Sequence, residues 1–254
     1  MSVALITAGS AGLGAAAARV FAKNGFRVVV NYASNDERAN QLLKELPALS
    51  NLPGDSTSDR FITIKADLGS RDDINRLVKE SVDRFGRLDV VFSNGGWTRF
   101  RGMSSIDENA FEEDWDRAFN MNVKSHFWLM QAAKKHLDKT EGAFITTAST
   151  AGVIPSGSSL AYSVTKAAQI HLVKALAIMA APHISVNSVS PGLLLTEWSK
   201  GFTEDQKEAH RQKTKLKRFV SVEDVAEQVF TFAKTKSMTG VNVVMDAGYI
   251  LQVP

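Results

Sequence analysis

The sequence predicts an α/β fold: a single doubly wound parallel sheet of about seven strands with helices on both faces. Three observations carry this prediction. Short apolar runs recur along the chain, as at residues 3–6, 26–30 and 88–93, the signature of strands buried on both faces. Helical stretches separate these runs throughout, and strands that alternate with helices form parallel sheets. The length of 254 residues, with 44% hydrophobic and 22% charged, suits one domain over 1–254, and no boundary or solenoid repeat interrupts it.

The first strand, 3–6, runs into Thr7 and the stretch TAGSAGLG at 7–14, then into a helix from 15 to 23. Strand, glycine-rich turn and helix in that order make a phosphate cradle. Glycines admit the main chain close to a pyrophosphate, and the helix start offers free N–H groups. The second strand, 26–30, ends in Asn31, Tyr32, Ala33, Ser34 and Asn35, and the first acid, Asp36, comes late. An NAD site would carry an acid here for the ribose 2′-hydroxyl. Without one, a 2′-phosphate is not repelled and Ser34 and Asn35 can donate to it, which favours NADP(H) over NAD(H). Arg38 is the nearest cation.

Residues 46–59 read as a surface loop from their Pro, Gly and Ser content. The third strand, 61–66, closes on Asp67 and Leu68, where the acid either meets an adenine amino group or caps the helix at 71–85. The fourth strand, 88–93, leads straight into Asn94, Gly95 and Gly96, at the strand ends where such sheets bind ligands. After a loop with Trp97, Arg99, Phe100 and Arg101, a helix is predicted over 111–137. Asn122, a mediocre helix former, sits inside it as a local conflict.

The fifth strand, 143–147, leads to Ser149, and the next helix carries Tyr162 and Lys166 four positions apart on one face. A free phenol titrates near ~10, and an adjacent ammonium is expected to lower it toward useful acid–base chemistry. The sixth strand, 184–189, breaks at Ser190, Pro191 and Gly192. Residues 193–216 are expected to form a flap over the crevice, with Trp198 and Phe202 as apolar contacts. A helix at 222–232 and a seventh strand at 241–245 complete the sheet.

Composition narrows the function classes. A net charge of +3 with one dense basic cluster, RQKTKLKR at 211–218, predicts no nucleic-acid footprint. No apolar run approaches a membrane span, and the N-terminus enters a strand with no signal-like flank, so a cytoplasmic location is expected. There are no cysteines, and His126, His136, His171, His183 and His210 have no ligand cluster around them, so no metal is expected. His126 and His136 read as helix-surface positions.

TAGSAGLG, Asp67-Leu68, SNGG at 93–96, Asn122, Ser149, Tyr162-x-x-x-Lys166 and Pro191-Gly192 occur in this order at familiar spacing. The chain resembles the short-chain dehydrogenase/reductase family over essentially its whole length. The resemblance is nearest to NADP(H)-dependent fungal naphthol reductases and 3-oxoacyl reductases. It implies a Rossmann-type oxidoreductase, a homodimer or homotetramer, acting on a small carbonyl or alcohol. It also implies a tetrad: Tyr162 protonates the substrate oxygen, Ser149 orients it, Lys166 holds the nicotinamide ribose and depresses the tyrosine, and Asn122 holds a relay water. The cofactor residues it implies are Thr7, Gly9, Ser10, Gly12, Leu13, Gly14, Asn31, Tyr32, Ser34, Asn35, Asp67, Leu68, Asn94, Gly95, Gly96, Tyr162, Lys166, Pro191, Gly192 and Thr196. Two positions depart from the family pattern: Ala8 stands for the first loop glycine, and Gly95 for an alanine. Trp97, Phe100, Trp198 and Phe202 suggest a bulky or aromatic ketone, and Arg99 and Arg101 are either an anion lure or solvated charges. A redox-neutral enzyme on the same scaffold, or a cofactor-binding sensor, is the alternative.

Overall fold

The computed structural model describes residues 1–50 and 59–251. Strand β1, Val3–Ile6, carries four apolar side chains and buries all of them, because both of its faces are covered. It pairs in parallel with β2 (Arg27–Tyr32) on one side and β4 (Val90–Ser93) on the other. With β3 (Phe61–Lys65), β5 (Ala143–Thr147), β6 (Ser185–Pro191) and β7 (Asn242–Met245), the seven-stranded order is β3-β2-β1-β4-β5-β6-β7. The winding reverses between β1 and β4, so a crevice opens beyond their carboxyl ends.

Alternate side chains of each strand feed two cores. Ala4, Ile6, Val28, Val30 and Phe92 pack on one face with helices α1 (Gly12–Lys23), α2 (Asp36–Leu49) and α8 (Val222–Lys234). Val3, Leu5, Val29 and Val91 pack on the other with α3 (Arg71–Phe85), α5 (Ser125–Asp138) and α6 (Leu160–Ala180). This period of two on strands covered from both sides is what their unbroken apolar runs encode. No helix among the described residues is long and apolar enough to cross a membrane.

Caps set the helix starts. Ser70, Ser159 and Ser221 each accept from the backbone N–H three residues on, at 3.3, 3.2 and 3.0 Å. Helix α1 has no such cap: Ala11 offers no side-chain acceptor and the first turn has no acid, leaving its N–H groups open to an anion.

Three boundaries differ from expectation. The loop expected at 46–59 begins later, since α2 continues through Pro47 to Leu49, anchored by the fully buried Leu42 and Leu46. Burial of these leucines outweighs the amide bond that Pro47 forfeits in the last turn. Residues 51–58 lie outside the described residues. The helix expected at 111–137 is α4 (Glu112–Phe119), a π-helical turn Asn120–Lys124, and then α5, so the conflict at Asn122 marks a true irregularity. Strand β6 does not break at Ser190; it pairs through Pro191 with Met245, and the Gly192 amide donates to the Met245 carbonyl at 2.8 Å. The flap contains a 3-10 turn, Glu197–Gly201, and α7 (Glu204–Lys213), which has no buried residue and starts with a Thr203–Gln206 capping box.

Candidate active site

The cradle after β1 is built by close backbone approach. A Cβ at Gly9 would lie 2.8 Å from the Ile6 carbonyl oxygen, and one at Gly14 only 2.4 Å from that of Ala8. Gly12 has φ +48°, in the left-handed region that favours glycine. Ala8, where the family places a glycine, keeps the same left-handed geometry at φ 47°, so the alanine is strained rather than relieved by Gly9. Ser10, Gly12 and Leu13 line the cavity beyond the cradle. Gly9, Gly14 and Thr7 shape it from behind: Thr7 Oγ1 accepts from the amides of Asn94 at 2.9 Å and Gly95 at 3.3 Å.

Asn31 is the clearest correction. Its side chain is buried, accepts from the Ala8 amide at 3.1 Å, and donates to the carbonyls of Tyr32, Ile64 and Ala66. It holds the strained cradle to β2 and β3 and has no amide hydrogen left for a cofactor.

Tyr32, Ser34, Asn35 and Arg38 line one end of a cavity of about 660 Å³. Asp36 is turned aside by Tyr32 Oη at 2.8 Å and Lys65 Nζ at 3.3 Å. Asn35 caps α2 through its oxygen, which accepts from the Arg38 amide at 2.8 Å. Arg38, left out of the residue set read from the sequence, lines this end of the cavity. Its signal was its place one turn into the helix that Asn35 caps. Asp67 is exposed and its Oδ1 accepts from Gly69 N at 2.8 Å, while Ser70 supplies the α3 cap.

Beyond β4, Gly95 answers the second departure from the family pattern. A Cβ there would sit 2.2 Å from Leu68 Cδ1, the movable end of the leucine, so an alanine would require that side chain to turn aside. A Cβ at Gly96 would lie 3.2 Å from Asn122 Oδ1 and 3.6 Å from Lys166 Nζ, so the glycine keeps this approach to both side chains open. Asn122 is fully buried in the π turn. Its oxygen accepts from Trp97 N at 2.7 Å, and its nitrogen donates to Trp97 O and to Thr165 Oγ1 at 3.0 Å. Both amide hydrogens are engaged in tying the β4 loop to α6. The side chain therefore fixes how these two elements sit against each other.

Ser149, Tyr162 and Lys166 meet at the cavity wall. Ser149 follows β5, and its hydroxyl oxygen accepts from Ala151 N at 3.1 Å. Tyr162 sits in the capped first turn of α6, hydrogen-bonded to Ser149. Burial pushes its phenol up to about 12, and the Ser149 bond offsets only part of this. The expected lowering by Lys166 is absent in the free protein. The ammonium lies 5.6 Å from the tyrosine ring centroid and donates instead to Thr147 O at 2.8 Å and Gln169 Oε1 at 2.9 Å. Burial also brings Lys166 down to about 7.

The remaining wall is apolar. Phe100, Trp198 and Phe202 line it, with Phe100 edge-on to Phe202 at 4.9 Å and Trp198 5.9 Å from the Tyr162 ring. Trp97 does not line it; its ring faces the guanidiniums of Arg99 and Arg117. Arg99 and Arg101 both pair with the buried Asp114, at 3.2 and 2.8 Å, so their charges serve the loop. Thr196 closes over the cradle, its Cγ2 3.1 Å from a Cβ built on Gly12, and Pro191 and Gly192 complete the floor. Gln206, His210 and Lys213 of α7 also line the cavity, a contribution with no motif to announce it. No cluster of metal-ligating residues occurs among the described residues. His126 is buried rather than at the surface, its Nδ1 2.6 Å from Ser93 Oγ, and burial holds it at about 3.

The profile of a family described as enoyl-(acyl carrier protein) reductase matches residues 7–250. The chain is similar to a 3-oxoacyl-acyl-carrier-protein reductase of Staphylococcus aureus, with 31% identity covering 96% of each chain. It is 33% identical to a versicolorin reductase of Emericella nidulans, over 77% of this chain and 70% of the relative. Among solved structures, a short-chain dehydrogenase of Burkholderia cenocepacia in complex with NADP superposes with a TM-score of 0.86 at 28% identity, covering 98% of both chains. Seven parallel strands in Rossmann order, a glycine cradle and these relatives together make the chain a member of the short-chain dehydrogenase/reductase family of oxidoreductases, which bind nicotinamide cofactors.

Proposed function

We propose that the protein is an NADP(H)-dependent reductase of a bulky or aromatic ketone, with Tyr162 as the general acid. The observation that carries this reading is the meeting of Ser149, Tyr162 and Lys166 on a cavity whose other wall is Phe100, Trp198 and Phe202. The residues fit a dinucleotide. Gly9 and Gly14 leave room only for backbone, and the uncapped α1 start presents N–H groups to a pyrophosphate. NADP is favoured because Asp36 is engaged by Tyr32 and Lys65, while Ser34 and the cationic Arg38 line the same end of the cavity.

The nicotinamide supplies the hydride when bound. Ser149 orients the substrate oxygen by a hydrogen bond. Tyr162 gives its proton to that oxygen as negative charge develops there, a task suited to a phenol kept neutral by burial. Lys166, close to where Gly96 opens the wall, holds the ribose, and its charge stabilises the tyrosinate that is left once the proton has been given. Phe100, Trp198 and Phe202 exclude water from the reacting carbon. The exposed Phe127 and Val164 of α5 and α6 suit packing against a second copy in a homodimer or homotetramer.

Parallel fluorescence titrations with NADPH and NADH, followed by a panel of aliphatic and aromatic ketones, test this. Tighter NADPH binding and turnover of the larger ketones are expected. Equal or tighter NADH binding overturns the cofactor assignment, and tight NADPH binding without reduction of any ketone overturns the activity.

A further inference from the structure

Helix α6 is mostly apolar, yet its fully buried position 169 is a glutamine. A buried primary amide must find partners for two donors and an acceptor or lose the free energy of leaving them unpaired. Gln169 finds them in the catalytic centre. Its Oε1 accepts from Lys166 Nζ at 2.9 Å, and its Nε2 donates to the Thr147 carbonyl at 3.1 Å. Lys166 Nζ donates to the same carbonyl at 2.8 Å. Lysine, amide and carbonyl thus form a closed triangle, and its chemistry fixes the amide orientation: the ammonium has no acceptor and the carbonyl no donor.

We propose that Gln169 is a positioning residue for the reaction, clamping the Lys166 ammonium against the end of β5 so that one N–H remains for the cofactor ribose. The proposal rests on the reductase reading above. The i, i+3 spacing puts both side chains on one stripe of α6. Thr147, the third corner, is also fixed, since its Oγ1 donates to Asn94 Oδ1 at 2.8 Å and so ties β5 to the β4 loop. A lysine side chain has four rotatable bonds, and an unclamped ammonium would sample many positions before cofactor arrived. Gln169 removes that search.

The clamp is also electrically neutral, which sets its consequence for titration. The groups facing Lys166 are Tyr162 on its own helix, Ser149 and Thr147 from β5 and its extension, and His126 from α5, which burial keeps uncharged near neutral pH. Gln169 stabilises the ammonium by a dipole only. Removing its oxygen lowers the lysine pKa, and replacing the amide by a carboxylate raises it.

The test uses the whole protein with Q169M, which keeps the shape and loses both partners, and Q169E. The titration midpoint of Lys166 is read by NMR on carbon-13-lysine-labelled protein, its resonance assigned by its loss in K166M. The expected midpoint falls by about one pH unit in Q169M and rises by about one unit or more in Q169E. The lysine-dependent limb of the kcat/KM profile is expected to move in the same two directions, and kcat of Q169M to fall about tenfold. A merely space-filling glutamine would change melting temperature and leave the midpoints alone. If Q169M does not fold, Q169L takes its place. Midpoints that stay at the wild-type value, or move the same way in both variants, overturn the proposal. If the midpoints move as expected but the wild type reduces no ketone, the clamp stands and the reductase reading fails.

Discussion

The two sides of the cavity are built on opposite principles. The cradle is a backbone site, fixed at Gly9 and Gly14, where an added Cβ would strike a neighbouring carbonyl, and at Gly12 by its left-handed φ. The flap opposite it is a side-chain site, in which α7 buries no residue and contact is made through Trp198, Phe202 and Thr196. The fixed side suits a cofactor that is the same at every turnover. The lightly anchored side suits a substrate that must enter and leave, and low burial is the physical basis for such motion.

Between them stand Ser149, Tyr162 and Lys166, and a change there gives the largest expected effect. Tyr162→Phe takes away the phenol proposed as proton donor, so kcat should fall about a hundredfold to ten-thousandfold while NADPH affinity in a fluorescence titration stays near wild type. An equal loss of affinity would mean that the tyrosine acts on the cradle side. Gly14→Val comes next, placing a branched side chain where a Cβ alone would lie 2.4 Å from Ala8 O. A stability loss of about 1–3 kcal/mol by chemical denaturation, with weakened NADPH binding, is expected. An unaltered titration would break the claim that the cradle is rigid.

Titration of the wall gives a third test. Lys166 titrates at about 7 in the folded protein against 10.5 when unperturbed. Between these values the unfolded chain binds the extra proton, so Lys166 makes stability rise with pH across that window, by at most about 1.4 kcal/mol per unit. Tyr162, moved from 10.0 to about 12, acts in the opposite sense, and stability falls as pH rises through that range. Denaturation of the wild type and K166M between pH 7 and 10 separates the lysine: the rise should be absent from the variant.

On the flap side, Trp198→Ala should raise KM about tenfold for a large ketone, worth about 1.4 kcal/mol, with kcat and melting temperature little changed. A matching loss of kcat would show that the flap takes part in the chemical step. The smallest effect belongs to Ala8→Gly, which relieves a left-handed alanine and should stabilise by a few tenths to about 1 kcal/mol. Destabilisation would mean that Asn31 and β2 prefer the strained form.

The alternation of buried strands and helices was legible because it is written in local periodicity, as at Val3–Ile6 and Ala143–Thr147. The polar wall of the cavity was legible where two residue types stand at a fixed spacing, since Tyr162 and Lys166 both line it. What escaped depends on distant partners. The end of α2 was hidden because Pro47 signals a break locally, while Leu46 is held by the core. Asn31 read as a cofactor residue because its neighbours Tyr32, Ser34 and Asn35 line the cavity, although its own amide donates to the carbonyls of Tyr32, Ile64 and Ala66. The direction of the Tyr162 shift could not be read from Lys166 at i+4, since spacing says nothing of how deeply the hydroxyl lies. Gln169 left a faint trace, a polar letter on an apolar stripe one turn after the lysine.

The fit of Leu68 Cδ1 into the hollow above Gly95 has a consequence for anyone who recombines this chain with its relatives. The contact is with the far end of a flexible side chain, so an alanine brought in at 95 is admitted once Leu68 turns to another rotamer. Chimeras joined between residues 68 and 95 should therefore fold, and should register the exchange mainly in how the leucine is seated.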